Sequence, residues 1–268
     1  MNHPWLPLLQ RLIAIPSTSR NEDDAASALF DWMTDNGLTP QREKNNVWCC
    51  SKDFSDEKPT ILLNAHIDTV KPVSSWTRNP FEPAIDDSGR LYGLGSNDCG
   101  GGLVALLQTF IALNATQQAY NIIFLATAEE EVSGADGMQL MQSMLPEIAL
   151  AIVGEPTGMQ PAIAEKGLMV VDVTCRGVAG HSARREGVNA IYEAIDDLQW
   201  LRTYRFKKES TLLGATLMQV TMIEAGTAHN VVPDTCRRVV DVRTNELYTN
   251  SEVLDIIQRN LKGEAVAR

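Results

Sequence analysis

The sequence lacks any apolar run long enough to cross a membrane, and its first residues lack the basic region and small-residue cleavage site of a secretion signal. Its five cysteines show no CxxC spacing, and the adjacent Cys49 and Cys50 are better explained as buried small side chains than as a disulfide. Basic residues are outnumbered, with 23 Lys and Arg against 34 Asp and Glu and a net charge of −11. We therefore expect a cytoplasmic protein that binds neither membranes nor nucleic acid.

The chain has 268 residues, 44% of them hydrophobic, which is enough for one or two domains with a sizeable core. Over residues 1–166, strand-like apolar runs alternate with helical patterns, which predicts an α/β domain whose mostly parallel sheet is flanked by helices. Ser19 and Glu22 have the spacing of a capping box for an early helix, which Gly37 ends. The later predicted elements are strands at residues 47–50, 60–65, 121–128 and 150–154 and helices at residues 100–114 and 136–144.

After residue 166 the pattern changes to strand, helix, strand, strand, helix and strand. This βαββαβ order predicts a smaller α+β domain over residues 167–268. Its last predicted strand, "EAVAR", begins close to the end of the sequence. We therefore expect the chain to be a piece of a longer protein.

Three apolar runs of the first domain end in side chains that bind metals. The apolar run of "LLNAHIDTV" leads to His66 and Asp68, "NIIFLATAEEE" ends in three glutamates, and "LAIVGEPT" leads to Glu155. Another carboxylate, Asp98, lies in the glycine-rich loop before the helix at 100–114. Because ligands of parallel sheets bind beyond the carboxyl ends of the strands, we expect these groups to converge on one edge of the sheet.

Each of these features alone also has an ordinary structural explanation, such as a polar strand end or a solvated turn. The glycine-rich loop is not a dinucleotide fingerprint, because Asp98 takes the place of the third glycine. Taken together, one imidazole and several carboxylates suit Zn²⁺, Co²⁺ or Mn²⁺, with one carboxylate bridging two ions. Of two adjacent glutamates, one could bind metal while the other takes a proton from water. Asp68 could fix the tautomer of His66.

Five segments together resemble the M20 metallopeptidases. "HIDTV", "GLGSND", "TAEEEVSG", "VGEPT" and "GVAGHSARREGVNAI" occur in the order and at the spacings of that family, and within it the sequence is most similar to acetylornithine deacetylase-type enzymes. The resemblance implies a hydrolase that removes the acyl group from an N-acyl amino acid with two divalent metal ions, Zn²⁺ before Co²⁺ or Mn²⁺. It also implies a homodimer formed through the smaller domain, which acts as a lid.

The resemblance further implies a role for each matching residue. His66, Asp98 and Glu155 would bind one metal ion, and Asp98 would bridge to a second ion bound by Glu131. Glu130, the middle residue of the three glutamates, would be the general base. The first glutamate of the run takes the family's remaining acidic position.

Other matches concern catalysis and substrate binding. Asp68 matches a catalytic position beside the metal ligands. In the smaller domain, His181 would reach the partner subunit's active site and stabilise the oxyanion of the tetrahedral intermediate. Asn230 and Arg243 match positions that contact the substrate, although Arg243 could also be a surface arginine of its strand.

Two features depart from the family pattern. Cys99 follows the bridging aspartate, and we interpret it as a small buried filler rather than as a metal ligand or an oxidation site. The family's last metal ligand, a histidine near the C-terminus, has no counterpart in this sequence, so we expect the second metal site to be incomplete. Other M20 specificities (succinyl-diaminopimelate desuccinylase, dipeptidase or carboxypeptidase) remain open, as does a non-catalytic dimerising fragment.

Overall fold

The structure is a computed structural model that describes residues 5–184 and 186–268. The chain divides into two compact units, Met1–Gln160 and Pro161–Arg268. This division lies a few residues before the predicted boundary between residues 166 and 167, and the roles of the two units stay predictions. None of the helices in the described residues is both long and apolar enough to span a membrane.

The first unit alternates helices and strands. Its helices are α1 (Leu6–Ala14), α2 (Asp23–Asp35), α3 (Gly100–Asn114) and α4 (Met138–Met141), with a 3₁₀ turn at Glu130–Val132. Its strands are β1 (Gln41–Glu43), β2 (Asn46–Cys50), β3 (Thr60–His66), β4 (Ala84–Ile85), β5 (Leu91–Tyr92), β6 (Asn121–Thr127) and β7 (Leu150–Val153). α4 is shorter than the helix predicted at 136–144: it begins only after Gly137, and beyond its end the N–H groups of Ser143 and Met144 donate to carbonyls three residues back, as in turns rather than an α-helix.

In the described residues of the first unit, the main sheet has the strand order β1-β2-β6-β3-β7. β6, β3 and β7 are parallel to one another, whereas β1 and β2 form an antiparallel pair that joins the sheet at β6. The connection between β1 and β2 is too short for the crossover that parallel neighbours need. The predicted α/β sheet is confirmed, with an antiparallel pair at one edge. The three parallel strands end at the same edge.

Two of the three strands that lead to the candidate site, β3 and β6, are deeply buried, whereas every residue of β7 is exposed. Every residue of β6 is buried, and so are all residues of β3 except Ile61. Both faces of the sheet are covered, which explains why these strands are continuous apolar runs rather than alternating ones. The larger core cluster includes Leu8, Leu29, Leu103, Phe110 and Phe124 from α1, α2, α3 and β6. This core holds the strand ends in fixed positions.

The second unit is the small α+β fold that the βαββαβ order predicts. Its strands are β8 (Gly167–Arg176), β9 (Gly180–His181), β10 (Glu209–Ser210), β11 (Gly214–Ala215), β12 (Leu217–Ala225), β13 (Val231–Val232), β14 (Thr235–Thr244) and β15 (Glu264–Ala267). Its helices are α5 (Ala190–Thr203) and α6 (Asn250–Asn260), with a 3₁₀ turn at Ser182–Arg184. β12, β14, β8 and β15 form an antiparallel sheet in that order, and both helices pack against it.

The capping box predicted for α2 is wrong. Glu22 is the N-cap residue, but no side chain caps the first turn. Ser19 instead donates its hydroxyl hydrogen to the Asp68 carboxylate at 2.7 Å, and the Glu22 carboxylate accepts N–H groups from outside the helix. A complete capping box does occur in the second unit, where Thr249 and Glu252 cap α6. The residues before α2 are therefore bound to the region around Asp68.

Candidate active site

β3 ends at His66, whose side chain is almost fully buried at the carboxyl edge of the main sheet. Its Nδ1 lies 2.8 Å from the backbone carbonyl oxygen of Asp68. Because a carbonyl oxygen can only accept, Nδ1 carries the proton and Nε2 is left to bind a metal. The Asp68 carboxylate, which we expected to hold the ring, lies farther away, with Oδ1 at 3.4 Å. The backbone of Asp68 thus fixes the tautomer more directly than its side chain.

Carboxylates from three different segments surround Nε2 of His66. Oxygen atoms of Asp98, Glu155 and Glu130 lie 3.0, 3.7 and 4.0 Å from it. These residues come from the loop before α3, the segment after β7 and the turn after β6. Glu131 completes the set, because His66, Asp98 and Glu131 present ligand atoms that all lie within 4.8 Å of one another. The strand ends therefore converge as the sequence predicts.

A close helix–strand contact brings Asp98 near Glu155. A Cβ atom on Gly102, in the first turn of α3, would lie only 2.1 Å from the carbonyl oxygen of Gly154, just after β7. The helix can start directly against the end of the strand only because Gly102 has no side chain. The glycine-rich sequence thus has a packing role here.

The three adjacent glutamates do not all face the site. Glu129 has a left-handed backbone, with φ 55°, and its side chain packs so closely on Gly134 that a Cβ there would clash with Oε2 of Glu129. Glu130 and Glu131 begin the 3₁₀ turn, and their carboxylates join the group around His66. Glu129 therefore packs within the turn, and only its two neighbours face His66.

Burial and mutual repulsion raise the pKa of two of these carboxyls. Burial, followed by the negative charge of Asp98, raises the pKa of Glu131. Burial also raises the pKa of Glu155, and Asp98 adds to the effect. Burial opposes a charged imidazole at His66, but the interactions with Asp68 and Cys99 together outweigh it and raise the pKa of His66 to about 12. In the described part of the chain, no lysine or arginine forms an ion pair with the carboxylates around this histidine.

Cys99 has the surroundings of the small buried filler that we inferred. It is buried, its Sγ accepts the backbone N–H of His66 at 3.2 Å, and burial raises the pKa of its thiol. Its Sγ also lies within 4.8 Å of ligand atoms of His66 and Glu155. A protonated thiol is nevertheless a poor metal ligand, so the surroundings favour a packing role.

The sequence prediction missed the groups that support the glutamate turn. The backbone N–H groups of Glu130 and Glu131 donate to the two carboxylate oxygens of Asp68 at 3.1 and 3.2 Å. The N–H group of Glu129 donates to Oε1 of Glu22 at 3.3 Å. The spacing of Ser19 and Glu22 was the available signal, but it matched a helix cap equally well.

Comparison with known proteins assigns the chain to a family. The sequence model of peptidase family M20/M25/M40 matches residues 62–263. The chain belongs to this family. It is 30% identical to the acetylornithine deacetylase of Shigella sonnei (strain Ss046) over 93% of its own length and 70% of the length of that protein. This M20 chain is therefore a relative of that deacetylase and a member of a hydrolase family.

Solved structures agree with the M20 fold. A tripeptidase from Staphylococcus aureus is similar with a TM-score of 0.70 at 22% identity, over 98% of this chain and 74% of that one. An M20 metallo-carboxypeptidase from Sulfolobus solfataricus reaches 0.75 at 18% identity, over 99% and 78% of the two chains. A dinuclear metal-binding M20 peptidase from Bacillus subtilis reaches 0.66 at 18% identity, over 99% and 72%.

In the second unit of this M20 protein, β9 carries His181. Its Nδ1 accepts the backbone N–H of Ala183 at 3.2 Å, so a neutral ring carries its proton on Nε2. The side chain is exposed, which leaves this Nε2–H available to a ligand. β9 pairs with β13, and the Ser182 N–H donates to the carbonyl of Asn230 at 3.2 Å. The structure thus brings His181 and Asn230 close together, although they lie far apart in the sequence.

Arg243 lies on β14 and is already paired. Its Nε and Nη2 donate to the two carboxylate oxygens of Asp241 at 2.9 and 3.1 Å. This two-point pair is geometrically specific and holds the guanidinium against its own strand. The geometry therefore favours the surface-arginine alternative over substrate binding for Arg243.

Proposed function

We propose that this chain is a metal-dependent amidohydrolase that removes the acyl group from an N-acyl amino acid. The observation that carries the proposal is the meeting of one imidazole and four carboxylates at one edge of the main sheet. The similarity to a protein named acetylornithine deacetylase supports an acetylated amino acid as the substrate class.

The residues at this edge fit divalent metal ions. His66, Asp98 and Glu155 would hold one ion, and Asp98 and Glu131 would hold a second. A set of imidazole and carboxylate ligands suits Zn²⁺, with Co²⁺ and Mn²⁺ as alternatives. A cation would compensate the confined negative charge that accompanies the raised pKa of Glu131 and Glu155. When bound, such ions polarise the acyl carbonyl and make water acidic enough to lose a proton near neutral pH.

Glu130 is the general base in this proposal. Its carboxylate is about half exposed and lies 4.0 Å from Nε2 of His66, so both water and substrate can reach it. It takes a proton from the attacking water as the new C–O bond forms. It then gives that proton to the amide nitrogen as the C–N bond breaks, which yields a carboxylate and a free amine. Asp68 assists by accepting the backbone N–H of Glu130.

His181 is the oxyanion donor in this proposal. Its protonated Nε2 would donate to the acyl oxygen, which gains negative charge in the tetrahedral intermediate. The hydrogen bond from Ala183 to Nδ1 supports the required tautomer. The donor would come from the partner subunit of a homodimer formed through the second unit. Asn230, beside it, would contact the substrate, and Arg243 would do so only after leaving Asp241.

The test is an amine-release assay on the purified chain loaded with Zn²⁺ or Co²⁺. Substrates would be N-acetylornithine, N-succinyl-diaminopimelate, a dipeptide and a carboxypeptidase substrate. Glu130→Gln serves as the inactive variant, and Asp24→Asn, which changes an exposed carboxylate of α2, as the matched control. We expect fastest cleavage of the acetylated amino acid, lost in Glu130→Gln only. Preference for another substrate would overturn the specificity, and metal-loaded protein that cleaves none would indicate a non-catalytic dimerising module.

A further inference from the structure

Four successive backbone N–H groups after β6 all donate hydrogen bonds to buried side chains. Asn46 Oδ1 accepts the N–H of residue 128 at 3.0 Å, and Glu22 Oε1 accepts that of residue 129 at 3.3 Å. The two oxygens of Asp68 accept those of residues 130 and 131 at 3.1 and 3.2 Å. All three acceptor residues are almost fully buried. Consecutive N–H groups that point to one side form a concave, anion-attracting backbone. Here two carboxylates of the chain itself, Glu22 and Asp68, supply the negative charge.

Glu22 has an unusual set of partners for a buried carboxylate. Its oxygens accept the N–H of Arg20 at 2.6 Å, the side-chain amide of Asn45 at 2.9 Å and the N–H of Glu129. None of these donors belongs to α2, although Glu22 is the N-cap residue of that helix. Burying a carboxylate is costly unless hydrogen bonds satisfy it, and hydrogen bonds to an ionised group are the stronger kind. The carboxylate is thus held toward the glutamate turn, away from its own helix.

The glutamate turn needs such support. Glu129 has a left-handed backbone, and so does Ser133, four residues later in the same turn. Non-glycine residues keep this conformation only where the surroundings fix it. The side chains of Glu130 and Glu131 extend directly from this turn toward His66, so a small rotation of the turn would move both carboxylates.

We propose that Glu22 is a positioning residue, which sets the turn after β6 so that the carboxylates of Glu130 and Glu131 face His66. Ser19 assists by donating its hydroxyl hydrogen to Asp68 Oδ2 at 2.7 Å. Two residues directly before α2 thereby control the group that does the chemistry. The catalytic part of this inference rests on the proposed role of Glu130, whereas the control of the turn does not.

The main variant is Glu22→Gln, which keeps the shape but removes the charge. We expect kcat to fall by about 10–100-fold with KM little changed, as for other residues that orient catalytic groups. Metal retention after dialysis should also weaken, because Glu131 would lose its place. Hydrogen exchange should become faster in the peptide that spans residues 128–133 and stay unchanged in β3. Asp24→Asn, an exposed carboxylate of the same helix, is the matched control and should change none of these readouts.

Ser19 provides an independent variant pair if Glu22→Gln loosens the whole unit. Ser19→Ala should give a smaller fall in kcat and faster exchange in residues 128–133, and Ser19→Thr should restore both because it keeps the hydroxyl. The exchange readout tests the turn even if the wild-type chain hydrolyses none of the substrates, so failure of the proposed function is distinguishable. Unchanged exchange of residues 128–133 in Ser19→Ala, together with unchanged or only global changes in Glu22→Gln, would overturn the proposal.

Discussion

The two units of this protein surround their clustered charges with different partners. In the second unit, Arg238 and Asp197 are both almost fully buried and form an ion pair at 3.1 Å. The Asp197 carboxylate also accepts the backbone N–H groups of Lys262 and Gly263 at 2.9 and 3.0 Å. In the described residues of the first unit, the carboxylates around His66 have no lysine or arginine partner.

We interpret the paired charges of the second unit as structural and the crowded carboxylates of the first unit as functional. A buried ion pair supported by further hydrogen bonds belongs to the fold, and removing one partner should cost stability. Carboxylates that are crowded together with raised pKa are typical of a site that binds or reacts. The first unit should therefore lose metal or activity when its charges are changed, whereas the second should lose stability.

The largest effect is expected from the glutamate pair of the first unit. Glu130→Gln should lower kcat by about 10²–10⁴-fold, the usual contribution of a general base, and should keep the metal. Glu131→Gln should instead lose metal on dialysis, because a ligand is removed. Steady-state kinetics and metal analysis of both variants test this prediction. If the two phenotypes were exchanged, the assignment within the glutamate run would be off by one residue.

The buried pair of the second unit should give the next largest effect. Asp197→Ala should lower the free energy of unfolding by about 3–5 kcal/mol, because it leaves Arg238 buried without its counter-charge. Asp196→Ala is the matched control, since this exposed neighbour pairs with Lys262 at the surface and should cost less than about 1 kcal/mol. Denaturant unfolding measures both. Equal losses of unfolding free energy in the two variants, or a change in metal content per folded chain, would contradict the distinction between the units.

His181 of the second unit should affect catalysis alone. His181→Ala should lower kcat by about 10²–10³-fold, the cost of one oxyanion donor, without changing metal content. His229→Ala, another exposed histidine of the same unit, is the control. If His181 acts across a dimer, mixing its variant with Glu130→Gln should restore some activity, because one site of a hybrid dimer keeps both groups. Proven hybrids without activity would place His181 in its own subunit or outside catalysis.

The smallest effect concerns the stability that the metal adds. A ligand present at 100 times its Kd stabilises the state that binds it by about 2.7 kcal/mol. Addition of Zn²⁺ at that level should slow hydrogen exchange around β3 and β6 by a corresponding amount and leave β8 and β14 unchanged. Asp98→Asn should abolish the difference. Equal protection of both units would show that the ion binds elsewhere.

The convergence of the candidate metal ligands could be predicted because it depends on local pattern. His66 and the segment of Glu130 and Glu131 follow buried apolar strands, and parallel strands end at a common edge. The same periodicity predicted α3 and the order of elements in the second unit. These predictions need only the apolar runs and glycines that lie within a few residues of each element.

Other contacts could not be predicted because distant segments decide them. Ser19 and Glu22 fit a capping box by spacing, but their partners are Asp68 and Glu129, which are 49 and 107 residues away along the chain. The backbone carbonyl of Asp68 holds His66, although the carboxylate was the group that the H-x-D spacing suggested. Local spacing cannot rank such alternatives, since the competing partners become neighbours only in the folded chain.

The most direct test of the central claim is a calorimetric titration of metal-free protein with Zn²⁺ and Co²⁺. The claim is that the carboxylates around His66, which have no lysine or arginine partner among the described residues, form a metal centre. We predict binding of at least one ion per chain to the wild type, strongly weakened in Asp98→Asn and unchanged in Asp196→Asn. Absence of binding to the wild type, or binding that Asp98→Asn leaves intact, would contradict the account.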